Sequence, residues 1–267
     1  MQRILILGAS GTVGRAVFRQ LARNQDLQVF GTYCSSEQAA SPSMLRFSVE
    51  SPDAICALLE QVRPDVVISA LRGGFAEQLT AHERAARYLA DSGGKLIYLS
   101  TANVFDGSLQ QPHYEADPPC SDSDYGTFKI QCENLLRRLL GSRAVLLRLP
   151  FVWGRSSPRI QEVKAGCAAG KLEVYGGLSS NHAADQQIAQ VIEWIIREDK
   201  GGTFHVGTID VVDYSRFITQ LIAAMGMRQP ELVIQEVPAV MAVLSAQQDL
   251  PEALQWTSRR LIAYLCG

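Results

Sequence analysis

Tyr125 and Lys129 stand four residues apart at the head of a helical pattern, Tyr125-Gly-Thr-Phe-Lys129, which continues through Leu135, Leu136, Leu139 and Leu140. Four residues make just over one turn, so phenol and ammonium share a face. A cation held beside a phenol favours the phenolate and lowers its pKa from about 10 towards the range of a working proton donor. Upstream, the apolar run Leu96–Leu99 reads as a buried strand ending on Ser100-Thr101. That places the Thr101 hydroxyl at the strand's carboxyl end, where it could hydrogen-bond the same substrate oxygen. Hydroxyl, phenol and lysine are the parts needed to reduce a carbonyl or oxidise an alcohol. They still need a hydride source.

The N-terminus offers a site for one. Arg3–Leu7 is a short buried-type strand, followed at once by Gly8-Ala-Ser-Gly11-Thr-Val-Gly14 and an apolar helix pattern at Val13, Val17, Phe18 and Leu21. Strand, glycine turn and helix are the context of a dinucleotide fingerprint: glycines let backbone approach a pyrophosphate, and the helix start offers free N–H groups. The second strand, Leu27–Tyr33, runs into Cys34-Ser35-Ser36 with no acid until Glu37. Without a carboxylate to repel it a ribose 2′-phosphate fits, and Arg15 could add charge, so NADP(H) is favoured over NAD(H).

The elements that must position these groups alternate. Met44–Phe47 is a weak strand, Pro52–Val62 a helix, Asp65–Ala70 a strand, Ala76–Ala90 a helix and Ala144–Leu149 a strand. Strands alternating with helices predict an α/β fold, a Rossmann-like doubly wound parallel sheet, with ligands at the carboxyl ends of its strands. The loop Leu71-Arg72-Gly73-Gly74 follows one such end, and Arg72 could face a phosphate or a substrate anion. Beyond Gly154 the pattern shifts. Arg155–Lys171 reads as helix, Leu172–Tyr175 as strand, 176–182 as a loop, Asp185–Arg197 as helix, Thr203–Val206 as strand, Asp213–Met225 as helix and Glu231–Val237 as extended. The expected division is a dinucleotide-binding domain of 1–152 plus 183–208 and a small substrate lobe of 153–182 plus 209–267.

With 267 residues, 47% hydrophobic, 19% charged and net charge −2, the chain gives no support for a nucleic-acid partner. No apolar run is long enough to span a bilayer, and none resembles a signal peptide. Six cysteines lie scattered without metal-ligand spacing, which reads as reduced thiols in a cytoplasmic protein and no metal site.

The motifs, in order, resemble the extended short-chain dehydrogenase/reductase superfamily. They are GASGTVG, LIYLSTANVFDG, YGTFK, RLPFVWG and GGTFHVG. The run Ser100-Thr101-Ala102-Asn103-Val104-Phe105-Asp106-Gly107 is similar to the hallmark of the dTDP-4-dehydrorhamnose reductase and NAD-dependent epimerase branch, although Ala102-Asn103 stand where that branch carries Asp-Tyr. The resemblance implies a catalytic trio of Thr101, Tyr125 and Lys129. It implies cofactor contacts from Gly8, Ser10, Gly11, Thr12, Val13 and Gly14, then Thr32, Ser48, Ala70, Leu71 and Arg72. Tyr125, Lys129 at the nicotinamide ribose, and Pro150 and Val152 at the carboxamide end complete that set. Substrate contacts would come from Arg72, Asn103, Trp153, Asn181 and His182. The expected function is reduction of a keto group on a sugar nucleotide or similar small molecule. The alternatives are a sugar epimerase, or a non-catalytic NADP-binding regulatory subunit resembling the β subunit of methionine adenosyltransferase. A monomer or a homodimer paired through helices 76–90 and 123–140 is expected. Asp106-Gly107 reads as a turn, Tyr114 as packing under its loop and His205 as buried structure.

Overall fold

The computed structural model describes residues 1–35, 42–51, 54–246 and 250–267. In chain order the strands and helices are β1 (Gln2–Leu7), α1 (Thr12–Leu21), β2 (Leu27–Tyr33), β3 (Met44–Arg46), α2 (Ala54–Val62), β4 (Val66–Ser69) and α3 (Phe75–Ser92). Next come β5 (Lys95–Thr101), α4 (Asp124–Leu140), β6 (Ala144–Leu149), β7 (Phe151–Trp153), α5 (Pro158–Ala169), β8 (Lys171–Ser180) and β9 (His182–Ala184). The chain ends with α6 (Asp185–Arg197), β10 (Gly202–His205), β11 (Val212–Asp213), α7 (Tyr214–Ala224), β12 (Glu231–Met241) and α8 (Ser258–Cys266). Ser36, Glu37 and Pro52, named above, lie outside the described residues.

Seven strands form the main sheet in the order β10-β6-β5-β4-β1-β2-β3. β1 pairs in parallel with both β2 and β4, and β4 with β5. Residues buried on both faces explain why these strands read as continuous apolar runs. Their side chains alternate. Leu5, Leu7, Val67, Leu96, Tyr98 and Leu146 pack in one cluster with Ile55, Leu59, Ala85, Leu89, Cys132 and Leu136 of α2, α3 and α4. α1 buries Val17 and Leu21, and its Gln20 Nε2 donates to Glu193 Oε2 of α6 at 2.7 Å. The result is the doubly wound α/β architecture expected from the sequence.

The chain divides into two units: 1–100 with 127–147 and 188–204, and 101–126 with 148–187 and 205–267. This differs from the sequence boundaries chiefly in giving 101–126 to the second unit. Within that unit the segment is tied to the tail: His113 N–H donates to Ala242 O, Leu244 N–H to His113 O, and His113 bridges Val243 in parallel. The second unit also holds the sheet β11-β8-β12 and the pair β7-β9.

Two expectations change here. Residues 176–182 are no loop: β8 runs through both glycines to Ser180, held by β11 on one side and β12 on the other. Gly177 takes φ +71, and the β8–β12 register shifts between Glu236 and Ala239, so the glycine marks an irregularity within a strand. Second, α5 starts only at Pro158, with Ser157 Oγ accepting Ile160 N–H, and stops at Gly170 in a left-handed conformation.

Candidate active site

The glycine turn of the first unit is shaped by steric necessity at two of its three glycines. Gly8 has φ +81, and a Cβ there would lie 2.6 Å from Ala70 O. A Cβ on Gly14 would overlap the Gly8 carbonyl oxygen and Ala9 Cα, so α1 can approach the turn only without a side chain. Gly11 is different. A Cβ built on it meets nothing nearer than Gly8 O at 3.4 Å, and its φ of −73 suits any residue. Its packing does not demand glycine. As the N-cap of α1 it makes no side-chain cap bond, so it offers the first-turn N–H groups no side-chain acceptor.

Neighbouring candidates support this turn more than they line it. Thr32 is buried, and its Oγ1 accepts the Gly8 N–H at 2.8 Å. Arg15 Nη2 donates to Ser10 O at 2.9 Å, folding the guanidinium over the turn. Thr12 opens α1 and Val13 follows it, both half-buried. Ser48 Oγ accepts Glu50 N–H in a local turn. After β4, Ala70 N–H donates to Leu7 O, Leu71 is half-buried, and Arg72 is exposed. Gln78 Nε2 pins Gly73 O at 2.8 Å.

Lys129 lies in the same unit and is 6% exposed. Its Nζ donates to Leu99 O at 3.0 Å and sits 4.6 Å from the centre of the Tyr98 ring. Burial brings its pKa down to about 8; Cys132 and Glu133 oppose that shift, and the Arg72 charge adds to it. Glu133, also buried, accepts Ser100 Oγ–H at 2.6 Å and pairs with Arg137 Nη2 at 3.3 Å. Tyr125, 41% exposed, is one turn before Lys129 on α4.

The first turn of α4 is fixed by a cluster that the sequence reading took for a simple turn. The Asp106 carboxylate accepts Ser121 Oγ–H, Ser123 Oγ–H, and the N–H groups of Asp122 and Ser123. Burial pushes its pKa up, but those four hydrogen bonds outweigh burial and hold the carboxyl below its usual range. Ser123 Oγ in turn accepts Gly126 N–H at 3.0 Å. A Cβ on Gly126 would overlap Asn103 O and Ser121 Oγ. Asp106, Ser123 and Gly126 therefore set the backbone on both sides of Tyr125. The signal was present in Asp106-Gly107 followed by Ser121-Asp122-Ser123, but its partners lie about fifteen residues apart in sequence.

Thr101 ends β5 in an extended conformation, buried. Its hydroxyl donates to Asn103 Oδ1 at 3.0 Å and accepts Asn103 N–H at 3.2 Å. The Asn103 side chain thus meets the one hydroxyl proton Thr101 has.

The expected substrate contacts Trp153, Asn181 and His182 are interior groups, each fully buried. Asn181 Nδ2 donates to Thr208 O and Val243 O, and its Oδ1 accepts Val243 N–H. Trp153 Nε1 donates to His182 Nδ1 at 3.1 Å, and His182 stacks on Phe217 at 3.8 Å. Burial, with Arg159 adding to it, brings the His182 pKa to about 3, so the ring is neutral and its Nε2–H faces Ser180 Oγ. These polar atoms are spent on holding β8, β9 and the tail together. Pro150 packs 2.8 Å from where a Cβ on Gly207 would stand, and Val152 pairs with Ala183.

His205 is buried as expected, with Nδ1 shared between His113 O and Leu244 O. Tyr114, expected to be packed, is 44% exposed. Sequence reasoning missed Arg148, which is buried with its guanidinium 4.9 Å from the Phe105 ring centre. All six cysteines are free. Among the described residues no group of three His, Cys, Asp or Glu could hold a metal ion, and no helix is long and apolar enough to cross a membrane.

Against known proteins, methionine adenosyltransferase 2 subunit beta of Danio rerio is 31% identical over 164 residues, 57% of this chain and 49% of that protein. A dTDP-4-dehydrorhamnose reductase of Aggregatibacter actinomycetemcomitans is 23% identical over 269 residues, 92% of this chain and 86% of the relative. The chain spans about half the length of the methionine adenosyltransferase subunits it matches. Among solved structures, dTDP-4-dehydrorhamnose reductase from Yersinia enterocolitica superposes with a TM-score of 0.80 at 19% identity over 99% of both chains. The Bacillus anthracis enzyme in complex with NADP gives 0.79 at 16%, covering 99% of this chain and 97% of its own. At such identities the structural likeness fixes the fold alone. The family model described as RmlD substrate binding domain matches residues 1–252, so the chain belongs to that family.

Proposed function

We propose that this protein is an NADP(H)-dependent oxidoreductase that reduces a keto group of a sugar nucleotide or a similar small molecule. The observation that carries the reading is Lys129: a buried ammonium with a pKa brought to about 8, one turn from the exposed Tyr125 on a helix whose start is pinned by Asp106. At Gly11, where a Cβ would meet only Gly8 O, a pyrophosphate could approach the bare backbone at the start of α1. Gly8, Gly14 and the α1 N–H groups would hold it. The relative named dTDP-4-dehydrorhamnose reductase supports the substrate class, and the NADP complex of the Bacillus anthracis enzyme supports the cofactor class.

A bound reduced nicotinamide would supply the hydride. Tyr125 would give its phenolic proton to the substrate oxygen as that oxygen gains charge. Lys129 would favour the phenolate left behind, and general acid catalysis of this kind contributes roughly 10²–10⁴-fold. Thr101 would polarise the carbonyl, which requires its hydroxyl to turn from Asn103 Oδ1 to the substrate. Preference for NADP(H) over NAD(H) rests on the absence of an acidic residue at the end of β2.

Tyr125→Phe tests the assignment, with NADPH and dTDP-4-dehydrorhamnose as the pair offered. Cofactor affinity should be retained and turnover should fall about 10²-fold or more. Unchanged turnover removes Tyr125 from the chemistry.

A second reading, a non-catalytic NADP-binding subunit, is favoured by the committed proton of Thr101 and by the 31% identity to methionine adenosyltransferase 2 subunit beta. It predicts dinucleotide binding without turnover on any keto sugar, and co-purification with a larger partner.

A further inference from the structure

The main sheet buries a polar chain that no part of the proposed chemistry uses. Ser69, the last residue of β4, has its Oγ 2.7 Å from His82 Nε2 on α3. The other ring nitrogen, Nδ1, lies 3.8 Å from Cys132 Sγ on α4. Cys132 is three residues beyond Lys129, so both stand on one side of that helix. His82 meets the Tyr98 ring edge-on at 4.9 Å, and Lys129 Nζ sits 4.6 Å from the centre of the same ring. Ser69, His82, Tyr98 and Cys132 are each at most 1% exposed.

We infer that His82 is a positioning residue: a neutral imidazole that ties the loop following β4 to the turn of α4 carrying Lys129. α3 holds that loop at two points, His82 at Ser69 and Gln78 at Gly73 O. A neutral imidazole has one donor and one acceptor nitrogen, so its two ends cannot be set independently. If Ser69 donates to Nε2, Nδ1–H points at the sulfur; if Nε2–H points at Ser69, Nδ1 faces it as an acceptor. A shift of the loop at Ser69 is therefore felt at Cys132 and, one turn away, at Lys129. Neutrality is part of the design. Burial, reinforced by the Lys129 charge, brings the His82 pKa to about 3, and a proton there would set a second buried cation against Lys129. An apolar side chain would pack here at lower desolvation cost, so a histidine bonded at both ends is explained by what it connects.

The inference rests on the dinucleotide reading, because the loop after β4 is one of the segments expected to meet the cofactor. The test titrates NADPH into the full-length chain and its variants by fluorescence, and follows the His82 imidazole by ¹⁵N NMR. His82→Leu should weaken NADPH by about tenfold while the far-ultraviolet spectrum stays native. His82→Gln, whose amide still reaches Ser69, should recover most of that loss. Ser69→Ala combined with His82→Leu should be no weaker than His82→Leu alone, since both cut one connection. Should His82→Leu fail to fold, Ser69→Ala and His82→Gln carry the same comparison. Equal NADPH affinity in wild type and variants, or additive losses, overturns the inference. If the wild type binds no dinucleotide, the functional reading fails. The NMR arm then decides separately: a neutral ring from pH 5 to 8 whose shifts move in Cys132→Ala supports the strut, and a ring that titrates in that range overturns it.

Discussion

Replacing Gly126 by alanine sets two effects of opposite sign against each other. Gly126 lies in the first turn of α4, where alanine is favoured over glycine by about 1 kcal/mol on helix propensity alone. Against this, the new Cβ would overlap Ser121 Oγ and Asn103 O. The serine side chain can rotate away, but the Asn103 carbonyl belongs to the backbone that follows Thr101 and cannot. Relieving the overlap means moving the start of α4 by roughly 1 Å, and overpacking of that kind costs about 1–3 kcal/mol or more. The steric effect should win, leaving a net destabilisation of up to about 2 kcal/mol by urea denaturation. The functional loss should be larger than the stability loss. Gly126 follows Tyr125 directly, and a 1 Å misplacement of a reacting group can cost about 10²-fold in turnover. The assay pairs a urea transition with steady-state turnover, and NADPH affinity should move little. A variant that gains the 1 kcal/mol of propensity and keeps full activity would refute the reasoning, since the first turn of α4 would then not be held against Asn103.

Two further predictions concern charge. Lys129→Met should stabilise the fold while abolishing turnover. The folded-state pKa is about 8 against about 10.4 for an unfolded lysine, so below pH 8 burying the ammonium costs about 3 kcal/mol, less the bond to Leu99 O. In the wild type, stability should rise as the pH climbs from 8 towards 10, where the unfolded chain still holds the proton the folded one has released; the methionine variant should lack that rise. Asp106 behaves in the opposite sense. Its lowered pKa contributes stability that is complete above the unfolded value of about 3.9 and is lost as pH falls through the folded value. Asp106→Asn should cost about 2 kcal/mol at pH 7, as one carbonyl oxygen replaces an acceptor of four hydrogen bonds, and should flatten the acid limb of the stability curve.

The layered fold was legible because strands buried on both faces announce themselves as apolar runs, and the turn after β1 carries its glycines where α1 must come close. β8 was not. Gly176-Gly177 looks like a break, and only the pairings with β11 and β12, far off in sequence, show that the strand continues. β12 likewise continues past Val237 to Met241, with Pro238 accommodated at the register shift of an edge strand. Asn181 and His182 look like ligand contacts because nothing local satisfies them, while their partners Thr208 and Val243 stand 26 to 62 residues away. His82 carries no local signal in the sequence, since its partners Ser69 and Cys132 lie on β4 and α4. The pairing of Tyr125 with Lys129 is legible because both stand on one helix, one turn apart. What the sequence did not show is that the Thr101 proton is already directed at Asn103.

Binding of a nicotinamide dinucleotide at the turn between β1 and α1 can be tested in isolation at Gly11. A Cβ at position 11 meets only Gly8 O at 3.4 Å, and alanine is a poorer N-cap than glycine, so Gly11→Ala should cost no more than about 1 kcal/mol of stability. A fluorescence titration with NADPH should then show saturable binding to the wild type and binding weaker by about tenfold or more in Gly11→Ala, because the methyl group enters the space the pyrophosphate would fill. No binding by the wild type, or equal binding by the two proteins, would contradict the account.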